Sequence, residues 1–522
     1  MSVPGSDDDL AWLAGELSAI RRELLPAGDS RALYLALDQG GTSSRAVLFD
    51  SVGRDVAAAH VPIATRRPDA ARVEHDASEL LQSLRTAVRD VCESPLAAGR
   101  PIVAAGLATQ RSTVCCWDRN DGTPLSAALS WQDRRNASWL EHCLGARSDW
   151  VRELTGLPLS PHYGASKLRW CLDELPEVRL ALRDERLCMG PLASFLAQGL
   201  CAAQEPCADP ANASRTLLFD AAVLDWSPPL LEAFGIPRAV LPRCVGTTHE
   251  FGMLPLDATR SVPLRACSGD QSAAVFASGP PATTTAYVNA GTGAFVQRVL
   301  RDGSGPVPRG LLKSVVYART DDPGSALYCH EGTVNGAYAA LEWVGRRVGI
   351  DARRTLDSLS TALADDAMPV LFMNGVGGLG APYWLPDFQS EFVPVRAGAP
   401  TPDTATELQQ VGAVVESIAF LIAVNVLAMH GAAPLQRLVI TGGLAVCDYL
   451  CEVLAEVIGM TVERPALLEA TSRGIAYLAA GQPQDWQAIP IEKSFAPTGR
   501  HAVRGRFKLW RAAMSARGAR SD

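Results

Sequence analysis

The sequence predicts an α/β protein of two duplicated lobes with a cleft between them, each lobe opening on a glycine-rich hairpin. Three observations carry this. Leu33 to Leu37 and Arg45 to Asp50 are apolar runs around the turn Asp38-Gln39-Gly40-Gly41-Thr42-Ser43-Ser44, a hairpin signature. Thr284 to Asn289 and Phe295 to Leu300 repeat that arrangement around Ala290-Gly291-Thr292-Gly293-Ala294. Each hairpin is followed by helical periodicity and further short apolar runs, so the second half reads as a copy of the first. Ligands favour the cleft such halves leave.

In chain order, residues 1–31 form an N-terminal extension. Asp7, Asp8 and Asp9 give it the wrong charge for a signal peptide, and Leu10 to Leu25 reads as a short amphipathic helix. Residues 32–279 form the first lobe. Val56 to Ile63 adds a third antiparallel strand, and Asp76 and Ser78 cap a helix whose inner face is Leu80, Leu81, Leu84, Val88 and Val91. Ile102 to Leu107 and Thr113 to Asp118 follow as strands of the same mixed sheet. Residues 280–483 form the second lobe, with a long helix over Glu407 to Met429 and a strand at Leu438 to Ile440. That strand breaks at Thr441-Gly442-Gly443, ahead of a helix from Tyr449 to Ile458. The apolar stretch Gly412 to Gly431 contains Glu416 and Asn425 and reads as a buried core helix, not a membrane span. Residues 484–522 carry Arg500, Arg504, Arg506, Lys508, Arg511, Arg517 and Arg520 and read as a solvated basic tail.

Composition narrows the function. A net charge of −8 gives no global pull toward nucleic acid. Thirteen cysteines without a Cys-x-x-Cys pair read as reduced thiols of a cytoplasmic protein, and Cys115 and Cys116 as neighbours on opposite faces of a strand. No Gly-Lys-Ser/Thr triplet, His-Arg-Asp or Asp-Phe-Gly occurs, so any ATP is gripped by neither a P-loop nor a protein-kinase site. Gly375-Val376-Gly377-Gly378-Leu379-Gly380 matches a dinucleotide fingerprint in form only, since Pro382-Tyr383-Trp384 stands where a helix must start. The histidines show no paired spacing for zinc.

The two hairpin turns suit phosphate, because glycine lets backbone N–H groups approach an anion and Thr42, Ser43 and Ser44 add hydroxyl donors. Asp38, at a strand end, suits Mg2+, a hard cation that prefers oxygen ligands. An apolar run ends at Gly269 and a small-residue helix starts near Asp270, which is therefore either a plain helix cap or a base for a substrate hydroxyl. Gln110-Arg111-Ser112 and Ser130-Trp131-Gln132-Asp133 bring an arginine, an indole and amides together, as a polyol requires; Arg134 and Arg135 read as surface salt bridging.

These segments, in this order, resemble the FGGY carbohydrate kinases, and glycerol kinase within them. The resemblance runs from about Leu33 to Gly481 and rests on Leu37 to Arg45, Thr109-Gln110-Arg111, Trp131 to Arg135, Asn212 to Thr216, Gly269-Asp270-Gln271, Gly291 to Phe295, Gly378 to Trp384 and Glu416 to Ala419. It implies the actin/hexokinase-like (ribonuclease H-like) ATPase fold, duplicated, and ATP-dependent phosphorylation of a small polyol or sugar with Mg2+. Asp270 matches the catalytic base and, with Asp38, the metal site. Thr42, Ser43 and Arg45 match the first phosphate loop, in which Gly41 also falls at the ATP side, Thr292 matches the second and Gly443 the adenine side. Arg111, Ser112, Trp131, Tyr163, Gln271 and Phe295, with Asp270, fall at the acceptor pocket. Family members often dimerise, though no interface is legible here.

The chain departs from the family pattern at five places. Ser112 replaces a glutamate, Gly41 a threonine and Cys447 an asparagine; His162 aligns with a pocket tyrosine, beside Tyr163, and Tyr338 stands where a glycine is usual. Ser112 points to an acceptor larger than glycerol. A ketopentose kinase of the same family is the runner-up, and a catalytically weak nucleotide-binding regulator is a third reading, opposed by the joint retention of Asp38, Asp270 and Thr292.

Overall fold

The computed structural model describes residues 31–201, 205–363, 368–395, 404–430, 434–467 and 469–519. The N-terminal extension, with its expected helix, lies outside them. Strands β1 (Leu33–Gln39), β2 (Ser43–Asp50) and β3 (Asp55–Pro62) form an antiparallel meander. Helix α1 (Ala77–Cys92) starts where the Asp76 carboxylate accepts the Ser78 and Glu79 N–H groups, and it buries Leu80, Leu84, Val88 and Val91. Strand β4 (Ile102–Thr109) runs parallel to β1; helix α2 (Gly164–Glu174) belongs to a side layer; β5 (Ser261–Gly269) runs parallel to β4 and leads into α3 (Asp270–Ala274). The order is β3-β2-β1-β4-β5, extended by an outer strand at Met253–Pro255.

The second lobe repeats this. Strands β6 (Thr285–Ala290), β7 (Ala294–Leu300), β8 (Leu327–Val334), β9 (Arg437–Thr441) and β10 (Thr461–Pro465) lie in the order β8-β7-β6-β9-β10. Here β7 is antiparallel to both neighbours, β9 is parallel to β6, and β10 to β9. Both lobes thus share strand order and direction, as the paired hairpins predict. The helix α4 (Glu407–Met429) is long and apolar enough to cross a membrane by length and composition, but it is buried in the second-lobe core. Helix α5 (Ala470–Ala479) leaves the second lobe and packs against β1, β4, β5 and α3 of the first.

Two expectations are corrected. The strand Val114–Asp118 is not in the first-lobe main sheet; it pairs with Leu187–Pro191 and Ala128–Leu129 in a separate four-stranded sheet. All five of its residues are buried, with Cys115 and Trp117 in the core of the main sheet and Val114 and Cys116 in that of the side layer. An apolar strand of this kind needs cover on both faces and becomes the partition between two cores. The described part of the C-terminal segment is not a solvated tail either. Ile491–Phe495 pairs with β10, and helix α6 (His501–Ala516) buries Val503, Phe507, Trp510 and Met514. Their spacing is a helical stripe. The charges between them masked it.

Candidate active site

The parallel strands aim the chemistry. Registers Asp38↔Ala108, Gln39↔Thr109 and Thr109↔Gly269 align the carboxyl ends of β1, β4 and β5, so Asp38, Arg111 and Asp270 emerge along one sheet edge. The pairing Asn289↔Thr441 does the same for β6 and β9, placing Gly291-Thr292-Gly293 beside Gly442-Gly443. Carboxyl ends of parallel strands are where α/β folds hold ligands.

Asp38 is 6% exposed, and its Oδ2 lies 3.8 Å from Arg45 Nη1 while its Oδ1 has no hydrogen-bond partner. Burial pushes this carboxyl up to about 7; Arg45 opposes the shift, while Glu469 and Asp270 add to it. Arg45 also donates to Glu469 at 3.0 Å, tying β2 to the entrance of α5. An orphaned, desolvated carboxylate oxygen beside a second carboxylate fits a hard cation that keeps waters and phosphate oxygens as further ligands. No cluster of three or more metal-binding side chains occurs among the described residues.

Asp270 opens α3, its side chain about a quarter exposed in the cleft. Oδ1 accepts the Gln271 N–H at 2.7 Å and lies 3.6 Å from Arg111 Nε. Burial raises its pKa above the usual carboxylate value, and Arg111 and the Gln271 N–H pull it back. Gly269 is required here, because a Cβ would lie 2.4 Å from Arg111 Cγ and Cδ.

Arg111 continues into a buried network. Its Nη1 donates to Glu331 Oε2 at 2.7 Å, Gln297 donates to the same oxygen at 3.2 Å, and Arg215 donates to Oε1. Glu331, on β8, is fully buried; burial alone would raise its pKa, but Arg111 and Arg215 outweigh that and hold it below the usual range. One second-lobe carboxylate thus joins two first-lobe arginines. Gln271 makes a second cross-lobe contact, accepting from Asn289 at 3.3 Å. Sequence reasoning missed Glu331 and Arg215 as a pair. The available signals were a glutamate inside an apolar strand run and an arginine in the family-like segment Asn212 to Thr216, with nothing to pair the two.

The residues expected at the acceptor pocket are assembled from loops. Ser112 has left-handed backbone geometry (φ 65°) after Arg111. The Trp131 N–H donates to Thr113 Oγ1 at 3.0 Å, and the His162 ring meets the Trp131 carbonyl at 3.0 Å, leaving the indole 39% exposed. Tyr163 is buried beside Arg215, its hydroxyl pushed up to about 12 by burial. Phe295 is half-buried and pairs with Asn289 across β6–β7. Asp133 and Arg135 are not surface groups: both are buried, paired at 2.7 Å, and Arg135 also reaches Glu74. Only Arg134 is exposed.

At the first glycine turn, Gln110 Nε2 donates to Gln39 and to the Gly40 carbonyl at 3.1 Å, bracing the turn from below. Ser43 is half-buried, Thr42 exposed, and space around Gly41 is open. In the second turn the Thr292 carbonyl accepts from Ala337, and the Gly291 carbonyl from Tyr338 at 3.1 Å. Thr292 and Gly443 are exposed at their loop apices. A Cβ on Gly442 would lie 2.5 Å from the Ala290 carbonyl, so glycine (φ 91°) permits the close approach of the two turns.

Two sheets of one strand order and direction, each opening on a glycine turn, define a two-lobed protein of the duplicated ATPase fold. The chain belongs to the FGGY family of carbohydrate kinases: the family's N-terminal domain model matches residues 33–277 and its C-terminal domain model residues 286–482. It is 35% identical over 451 residues to a glycerol kinase of Citrifermentans bemidjiense, covering 85% of this chain and 89% of that one. A glycerol kinase of Methylibium petroleiphilum is 34% identical over 505 residues, covering 92% and 98%. Among solved structures, Plasmodium falciparum glycerol kinase with ADP superposes with a TM-score of 0.83 at 22% identity, covering 94% of this chain and 99% of that one. A xylulose kinase from Brucella ovis superposes with a TM-score of 0.80 at 21% identity, covering 93% and 99%. At these identities the two structures speak to the fold alone.

Proposed function

We propose that this chain transfers the γ-phosphoryl group of ATP to a hydroxyl of glycerol or a related polyol or sugar, with Asp270 as general base. The position of Asp270 carries the reading: a desolvated carboxylate at the carboxyl edge of the first-lobe sheet, beside Arg111. With Oδ1 engaged by the Gln271 N–H and Arg111, Oδ2 is the oxygen available to a substrate hydroxyl. Arg111, Trp131, Tyr163, Gln271 and Phe295 orient the acceptor. Gly41, Thr42, Ser43 and Arg45 hold phosphate from one lobe and Thr292 from the other, with Gly443 under the adenine. Asp38 and Asp270 would hold Mg2+, which neutralises charge on the transferring group when bound. In-line positioning and charge neutralisation are most of what phosphoryl transfer asks of a protein.

The curated relatives named glycerol kinase support a polyol acceptor. Ser112 favours one larger than glycerol, such as a tetritol, pentitol or ketopentose, because a serine lacks the reach and charge of the glutamate it replaces. All thirteen cysteines are free thiols, which supports a reducing, cytoplasmic setting. The test is ADP release against a panel of polyols and ketoses. Asp270→Asn is expected to lower kcat by about 10²–10⁴-fold while leaving ATP affinity largely intact, because Asp38 and the two turns still hold Mg·ATP. Turnover of that variant at the parent rate would overturn the assignment.

A further inference from the structure

The side layer contains a buried lysine that no step above uses; burial pulls its amine down to about 7, while the carbonyls around it favour the ammonium form. Lys167, on α2, is fully buried, and its Nζ donates to the carbonyls of Ser112 at 2.9 Å, Ser130 at 2.8 Å and His162 at 2.8 Å. Three donors meet three acceptors, and none is spare. The nearest acid, Asp133, is committed to Arg135, and no carboxylate lies at ion-pairing distance from Lys167 among the described residues. The three carbonyls come from three separate loops. Each adjoins a pocket wall: Ser112 follows Arg111, Ser130 precedes Trp131, and His162 precedes Tyr163.

We propose that Lys167 is the positioning residue of the acceptor pocket, its ammonium gathering three loop carbonyls and so fixing the walls that select the acceptor. The inference rests on the polyol-kinase reading. The helix that carries Lys167 is seated closely at its head, where a Cβ on Gly164 would lie 2.7 Å from Val114 Cγ1 and 3.4 Å from Thr216 Cα. The left-handed turn at Ser112 (φ 65°) gives that residue's carbonyl a geometry in which it meets the ammonium. The three loops also touch directly, through Thr113 Oγ1 with the Trp131 N–H and through His162 with the Trp131 carbonyl, so loss of the ammonium loosens the pocket without dispersing it. A cation that shapes only the acceptor side acts on acceptor KM and leaves the nucleotide side untouched.

The experiment compares the parent with Lys167→Met, which keeps length and removes the charge, on the best acceptor of the ADP-release panel. Acceptor KM is expected to rise by about tenfold or more, with ATP KM and saturated kcat within about twofold of the parent. A parental acceptor KM, or equal losses in acceptor and ATP KM, overturns the inference. Should the variant not fold, hydrogen exchange on the parent decides: added acceptor must protect residues 110–113, 130–132 and 162–164 together, and independent responses overturn the proposal. A parent that turns over no acceptor sinks the kinase reading and this inference with it; a parent that turns over while Lys167→Met behaves identically sinks this inference alone.

Discussion

Glu331→Gln tests the link between the lobes and the proposed base at once. Glu331 is fully buried, and Arg111 at 2.7 Å and Arg215 both donate to it. In the variant one oxygen still accepts from one arginine, but the new amide N–H groups face the other, so a buried donor meets a buried donor with no anion between them. Removing one partner of a buried ion pair costs about 3–5 kcal/mol. At about 2 °C per kcal/mol for a unit of roughly 250 residues, Tm is expected to fall by about 6–10 °C. A second effect has a definite sign. The Glu331 charge raises the pKa of Asp270, whereas Arg111, 3.6 Å away, lowers it. Neutralising Glu331 leaves Asp270 as the sole carboxylate near Arg111, so its pKa drops, and the acid limb of the pH–rate profile moves to lower pH with a weaker base behind it. Scanning calorimetry and ADP release measured across pH read the two effects. A Tm within about 2 °C of the parent, together with an unmoved acid limb, would refute the reasoning.

Other expectations follow from the same geometry. Burial pushes the Asp38 carboxyl up to about 7, so with Mg2+ held there as proposed a proton competes with the cation below neutrality, and Mg·ATP affinity is expected to fall by up to about tenfold per pH unit below that value. Titration calorimetry in buffers of different ionisation enthalpy should register the released proton, and Asp38→Asn should abolish both effects. Ser112→Glu should raise kcat/KM for glycerol by about ten- to hundredfold, since it supplies a charged hydrogen-bond partner; an unchanged value would remove Ser112 from acceptor selection. Arg506→Met leaves Glu416, 1% exposed, without its buried guanidinium and should cost about 3–5 kcal/mol, seen as faster exchange across α6. The double change Glu416→Met with Arg506→Leu should recover most of that loss.

Much of the site was readable because local chemistry announces itself. A glycine turn between apolar runs can be little else than a hairpin, and an acid following a buried strand end at Gly269 must sit at the sheet's edge. The alternation that sends Cys115 and Cys116 to different cores follows from the pleat alone. Other features eluded the one-dimensional reading. The charged residues of α6 hid a stripe of Val503, Phe507, Trp510 and Met514 that matters only once a groove beside α4 exists to receive it. Arg135 reads as a surface charge until Asp133 and Glu74 are brought around it.

By itself the sequence determined the fold class, the duplication of the lobes and the two glycine turns, all consequences of periodicity and turn chemistry within short stretches of chain, and its resemblance to the family singled out Asp270 as the candidate base. Tertiary structure alone decided which distant charges meet. Arg111 and Glu331 are 220 residues apart in sequence, and the three carbonyls around Lys167 lie on loops up to 55 residues from it. Such partnerships depend on where whole strands and helices come to rest, and a buried charge shows what it needs only when the surrounding water has been removed.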